Sequence, residues 1–335
     1  MQVANFPDVR KFSALRDRGA EIKRDLSVAF QELTTGRVSQ AETTRNLNGR
    51  LGDAHLLRRE LDQIEVKKSS FSLALGRASI AQNSLDQVIE SIGSLPEDLR
   101  AAASRGDEIS FVAEVSTAQS SLDQVVSALN VRQGRRFLFS GDAVDRPPLA
   151  DSQTIQTEVR NALAGLTTAA DIDTALDTFF GPGGDFETTI YNGGSGSVPS
   201  VELDIGDRVG LEPRADNQAF RDVIRGLAVA SVVNDLGLTE DERLEVVRGS
   251  GDSLVSGISA TSQAIAEVGL SENRIITAQS RLNAEESVMN EAYNAVAGRD
   301  PFDAASRAQE LEVLLQTTYS VTARLSALNF NNFIG

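Results

Sequence analysis

The stretch LRRELDQIEVKKSSFSLALGRASIAQNSLDQVIESI, residues 57–92, decides the fold. Leu57, Leu61, Ile64, Lys68, Phe71, Leu75, Ala78, Gln82, Leu85, Ile89 and Ile92 follow one another at alternating steps of four and three. That period brings one side chain per half-heptad to the same face of a helix, so the segment predicts a helix packed along its length. A helix of about 40 residues is about 60 Å long. Lys68 and Gln82 are the polar positions in the stripe, and polar seam residues can set register at some cost in stability. Ser94-Leu95-Pro96 ends the run.

The same spacing continues outward. Phe111, Val115, Ala118, Leu122, Val125 and Leu129 predict a second helix after Gly106. Ile258, Ile265, Val268, Ile275, Ala278, Leu282, Met289, Ala292 and Val296 share a third frame, interrupted by Thr261, Glu272 and Glu285. The two glutamates are expected at its edge. Thr239 with Glu242 has the pattern of a capping box leading into this helix. Gly298-Arg299-Asp300-Pro301 breaks it, because a proline disfavours helix in the residue before it. Three long helices from two distant stretches predict a mainly α fold, an elongated antiparallel bundle.

Both chain ends carry narrower stripes. At the start they are Phe12, Leu15, Gly19, Ile22, Leu26, Ala29 and Leu33; at the end, Leu311, Leu314, Thr318, Val321, Leu325 and Leu328. Paired, they would make a coiled coil from the two termini. A two-helix segment this small is marginal in water, so it is expected to need further copies of the chain to complete its surface. Phe12, Leu15, Ile22, Leu26, Leu33, Leu311, Leu314, Val321, Leu325 and Leu328 are the candidate assembly seam.

Helical periodicity is absent from the middle. Arg136 to Gly141 reads as a short strand, and 155–180 as two short helices, the second capped by Asp171 and burying Ile172, Leu176 and Phe179. Strands are predicted at Phe186 to Tyr191 and at Val198 to Ile205, with Val201, Leu203 and Ile205 on one face. Asp216 is the expected cap of a helix carrying Phe220, Val223, Ile224 and Leu227. This middle is read as a small α+β insertion. The expected division is 1–45 and 299–335 as assembly segments, 46–141 and 216–298 as the two halves of the bundle, and 142–215 as the insertion.

Composition narrows the function classes. The 335 residues include no Cys, no Trp and one His. Without cysteine there is no disulfide, thiolate metal site or thiol nucleophile. The lone His55 leaves little for acid–base chemistry near neutral pH. The net charge of −16 is uneven: residues 1–68 hold 13 Lys and Arg against 10 Asp and Glu, and the remainder 19 against 38. An acidic body repels nucleic acid and anionic membranes, so neither is an expected partner. No apolar run approaches the length that spans a bilayer, and the start lacks the layout of a cleavable signal.

Catalytic and binding motifs fail on inspection. Gly181 to Gly184 and Asn192 to Ser197 lack dinucleotide-loop spacing and read as turns. Asp171, Asp173 and Asp177 have an acidic rhythm without the mid-loop glycine and terminal glutamate of a calcium loop. No catalytic, cofactor-binding or metal-binding residue is assigned, and an enzyme is the least expected class.

Three motifs carry a family resemblance. Tyr319 to Phe330, YSVTARLSALNF, resembles the C-terminus of bacterial flagellins and their relatives. Glu32-Leu33-Thr34-Thr35-Gly36-Arg37 resembles the end of their N-terminal helix. Phe137-Leu138-Phe139-Ser140-Gly141 is similar to a strand of the hook-associated protein 3 branch, the hook–filament junction proteins. Residues 38–46 lack the acidic pair usual after the second motif. The resemblance implies a structural, secreted component of the bacterial flagellum, exported unfolded by a type III route with a dedicated chaperone. It implies assembly as a ring of copies between the first hook-associated junction protein and flagellin, without cofactors. The alternatives are flagellin itself and, more distantly, a soluble coiled-coil scaffold or signalling protein.

Overall fold

The computed structural model describes residues 6–39, 51–105, 108–196, 200–210, 212–298 and 300–334. The chain divides into two compact units, one of residues 1–66 with 282–335 and one of residues 67–281. Long helices packed against each other dominate, with two small antiparallel sheets, so the fold is mainly α with a small β component. In chain order the elements are α1 (Phe6–Thr35), α2 (Leu51–Ile92), α3 (Leu95–Arg105), α4 (Glu108–Leu129), β1 (Arg132–Gln133), β2 (Arg136–Phe137), α5 (Ser152–Ala162) and α6 (Ala169–Phe180). After a π-helical turn (Phe186–Ile190) come β3 (Ser200–Asp204), β4 (Asp207–Gly210), α7 (Gln218–Val232), a 3-10 turn (Val233–Asp235), α8 (Glu240–Ala297) and α9 (Pro301–Ile334).

In the unit of residues 67–281, the expected α2 stripe is buried at Phe71, Ala78, Leu85 and Ile92. Ala74, Ala81 and Val88 are buried where Leu75, Gln82 and Ile89 of the expected stripe are only half-buried, so the covered face is broader than a two-stranded seam. The extra width takes a second neighbour. Ser121 of α4 donates to the Ser91 carbonyl at 2.7 Å, and Ser84 donates to the Ala128 carbonyl. On α8, Gly269 faces Gln82, and Gly251 faces Pro96 just beyond α2, so α8 runs antiparallel to α2. Thr261 is fully buried on the same face of α8 as Leu254, Ala264 and Val268, with its hydroxyl unpartnered. Glu272 is half-buried and Glu285 exposed.

Helix α7 is the centre of this unit. Twelve of its residues are buried, including Phe220, Val223, Ile224 and Leu227. Glycine permits its contact with α8. A Cβ on Gly226 would stand 2.7 Å from Leu254, and one on Gly257 would stand 2.6 Å from Val223. Phe139 meets Phe220 edge-on at 6.2 Å, while Phe180 packs between Phe179 and Phe186. Such offset rings add to what their buried area contributes.

Several local expectations are corrected. Phe186 to Tyr191 is a π-helical turn rather than a strand, closed by Tyr191 N–H donating to the Phe186 carbonyl at 2.8 Å. Phe186 and Ile190, both buried, are four apart, a helical spacing. Only two residues of the Arg136 to Gly141 stretch form a strand, pairing in a hairpin with β1. In β3, Val201 and Leu203 are buried as expected, but Ile205 falls in the turn before β4 and is 96% exposed. Val198 lies outside the described residues. Thr168, not Asp171, caps α6, its hydroxyl oxygen accepting from Asp171 N–H at 3.1 Å. Asn217, not Asp216, caps α7, because Asp216 is held bidentately by Arg214 at 2.8 and 2.6 Å. Helix α3 was not expected; Pro96 sits in its first turn, where the missing N–H costs nothing.

Candidate assembly surface

In the unit of residues 1–66 with 282–335, α1 and α9 pack along one another. Gly19 faces Thr318 and Tyr319, while Arg37, just past α1, bridges Gly298, so the helices run antiparallel. On α1, Gly19, Ile22 and Ala29 are buried, and Leu15, Leu26 and Leu33 half-buried. The Phe12 side chain lies outside the described residues. The terminal stripes therefore meet within a single chain.

The facing stripe of α9 is Ala304, Ala308, Leu311, Leu315, Thr318 and Thr322, again at steps of four and three. It shares Leu311 and Thr318 with the expected seam, but its other members are displaced by one residue. One residue is about 100° of helix rotation. Leu314 and Val321 are consequently off the α1 contact, 43% and 42% exposed, with Val313 at 58% beside them. The side chains of Leu325 and Leu328 lie outside the described residues. Leu311, Leu315 and Thr318 thus face α1, whereas Val313, Leu314 and Val321 open a second apolar face. A shallow depression lined by Ser306, Gln309, Glu310, Val313, Leu314 and Thr317 runs along that face. Among the described large apolar residues of α1, only Phe30 is exposed, so the second face belongs to α9.

The junction at the end of α1 explains the Glu32 to Arg37 motif. Glu32 is fully buried, and its carboxylate accepts from Ser39 N–H at 2.7 Å, which bends the chain back over the helix end. Gly36 turns the chain with φ of 65°, a left-handed value that L side chains resist. Val38 N–H then donates to the Ala297 carbonyl at 3.0 Å, and the Arg37 guanidinium lies 5.3 Å from the Tyr293 ring centre. Glu32, Arg37 and Tyr293 escaped the periodicity analysis because none belongs to an apolar stripe.

In the unit of residues 67–281, a cavity of about 310 Å³ lies between α6, α7 and α8, with Ile172, Leu176, Val229 and Val246 in its wall. Its arginine, Arg225, is already paired with Asp173 and Asp177, which accounts for part of that acidic rhythm. Ser250 donates to the Val246 carbonyl at 3.0 Å. These contacts form a structural network with no nucleophile–base arrangement. The buried Arg221, also unforeseen, donates to the carbonyls of Asp216, Phe180 and Gly181 and pairs with Glu187 at 2.6 Å. That bond holds the Glu187 carboxyl below its ordinary range. His55 is exposed near the start of α2. Among the described residues there is no group of three metal-ligating side chains, and no helix is long and apolar enough to cross a membrane.

Comparison with known proteins bears on the same surface. Residues 253–334 match the bacterial flagellin C-terminal helical region, a span that holds the whole described seam of α9. No curated protein sequence matches the chain. A Vibrio parahaemolyticus structure assigned as a flagellar hook-associated protein has a similar fold, with a TM-score of 0.53 at 14% identity, over 74% of this chain and 97% of that one. Bacillus cereus FlgL aligns with a TM-score of 0.42 at 15% identity, over 73% of this chain and 98% of that one.

Proposed function

We propose that this chain, whose last quarter carries a flagellin-type C-terminal helical region, is a structural component of the bacterial flagellum that joins hook to filament. The observation carrying the proposal is the second apolar face of α9. A helix already packed on α1 through one stripe keeps Val313, Leu314 and Val321 exposed on another. An apolar face that a folded chain leaves exposed on a helix is a candidate contact for another chain. Further copies of the same chain, arranged as a ring, would cover it, and a repeated identical contact closes into a ring when its rotation permits.

On this reading residues 1–45 and 299–335 are the assembly segments, 46–141 and 216–298 form the bundle, and 142–215 is an insertion. The protein would be secreted through the flagellar type III route with a chaperone, and would sit outside the cell between the first hook-associated protein and flagellin. Deletion of the coding sequence tests this. Hooks should still form and flagellin should appear in the medium, with no filaments attached; normal filaments would overturn the proposal.

Flagellin itself is the second reading, because the matched C-terminal region is described for flagellin. Copies per flagellum separate the two, few for a junction and very many for a filament. The similar fold of the Vibrio parahaemolyticus hook-associated protein across most of both chains supports the junction.

A further inference from the structure

Glu212 is the most deeply buried carboxylate in the unit of residues 67–281 whose charge is incompletely paired. Its side chain is 0% exposed, and two guanidinium groups approach it from different elements. Arg77 of α2 comes to 3.6 Å and Arg136 of β2 to 3.5 Å. Both separations exceed a well-formed charged hydrogen bond. Glu212 Oε1, Arg77 Nε and Arg136 Nε accordingly have no hydrogen-bond partner.

The hairpin that brings Arg136 to this site is minimal. Each strand has two residues, and the turn is Gly134-Arg135. Arg132, Gly134 and Arg135 are exposed, and Gln133, Arg136 and Phe137 half-buried. No fully buried apolar side chain anchors it before Leu138. A two-stranded hairpin of this size is not stable by itself, so its seat rests on contacts outside it, with Gln133 beside Gly76 of α2 and Arg136 beside Glu212.

We propose that the β1–β2 hairpin is a proton-dependent clasp, seated on α2 most firmly when Glu212 takes up a proton and loosened when Glu212 is ionised. Seating the hairpin removes Glu212 from water. Two long, imperfect contacts return only part of the solvation that an ionised carboxylate loses, and such burial can cost more than the pairing returns. A neutral carboxyl escapes that cost and still accepts from either guanidinium through its carbonyl oxygen. The charged groups acting on Glu212 are Arg77 from α2 and Arg136 from β2, and both lower its pKa. Burial outweighs them and pushes the carboxyl above its ordinary range. A carboxyl with a raised pKa in the seated state favours that state below its ordinary pKa, an advantage lost as pH rises through the raised value.

Hydrogen exchange of the intact chain tests the clasp. The reporters are Phe137 N–H, which donates to Val144, and Leu138 N–H, which donates to Val131; α4 serves as the internal control. Between pH 7.5 and 4.0, the lower value lying below the ordinary carboxylate pKa, protection at 137–138 corrected for intrinsic exchange should rise severalfold, approaching about tenfold for each unit by which the seated pKa exceeds the lifted one. Glu212→Gln should show the high protection at both pH values. Hairpin protection in the wild type that is flat or falls with acidification overturns the proposal, and that measurement stands even if the variant does not fold. A folded Glu212→Gln variant whose hairpin exchanges faster than wild type at pH 7.5 also overturns it.

Discussion

Helices α7 and α9 are both rich in aliphatic residues, yet they satisfy them differently. In α7 twelve residues are buried, nearly all the way around the helix, by neighbours from the same chain. In α9 one stripe packs on α1, while a second, with Val313, Leu314 and Val321, is left exposed by the described residues. The difference separates residues that make the chain fold from residues that prepare it to associate. A helix apolar on every side must be enclosed by its own fold, whereas a helix with two separated stripes can fold with one partner and bind through the other.

Mutations can break or sharpen this contrast. The largest effect is expected at the centre of α7. Phe220 is fully buried against Phe139, so Phe220→Ala should destabilise the chain by about 3–5 kcal/mol in chemical denaturation. Next is the crossing of α7 on α8. A Cβ on Gly257 would meet the backbone nitrogen of Val223 at 2.9 Å, so Gly257→Val should cost about 1–3 kcal/mol through forced separation. A loss below a few tenths of a kcal/mol would show that the two helices part easily.

The third change has the opposite sign. Thr261 is fully buried with an unpartnered hydroxyl, so Thr261→Val removes a desolvated group while keeping the shape. A gain of about 1 kcal/mol is expected, read as a raised midpoint in denaturant. The smallest effect on folding is expected on α9, where Leu314→Ser with Val321→Ser should alter monomer stability by no more than about 0.5 kcal/mol each. The same pair should sharply reduce incorporation into flagella. A clear drop in monomer stability would place these side chains in the folding core and remove the contrast with α7.

Legibility in the sequence was uneven for physical reasons. The 57–92 repeat located α2 and its buried positions Ile64, Phe71, Ala78, Leu85 and Ile92, because its members recur at one helical period over ten steps, but Ala74, Ala81 and Val88 are buried where it placed Leu75, Gln82 and Ile89. On α9 the same reasoning identified an apolar helix but merged two stripes. Leu311 and Thr318 fit a frame through Leu314 and Val321 as well as one through Leu315 and Thr322, and apolar spacing does not distinguish them. Only the position of α1 does. The Glu32 to Arg37 motif was visible as a string, but the role of Glu32 as acceptor for Ser39 depends on a turn made after the helix ends.

What the sequence by itself determined is the long-helix character, the end of α2 ahead of Ser94 and the break at residues 298–301, and the absence of thiol chemistry. These follow from local period, proline and glycine stereochemistry, and composition. Tertiary structure alone decided which stripe of α9 packs within the chain, that Phe186 to Ile190 turns as a helix, and that Asp216 serves Arg214 while Asn217 caps α7. It also decided that Glu212 stands between two arginines, 135 residues and 76 residues distant along the chain. Local sequence sets which conformations are inexpensive, but burial and charge pairing depend on groups brought together from distant positions, and those energies exist only once the chain has folded.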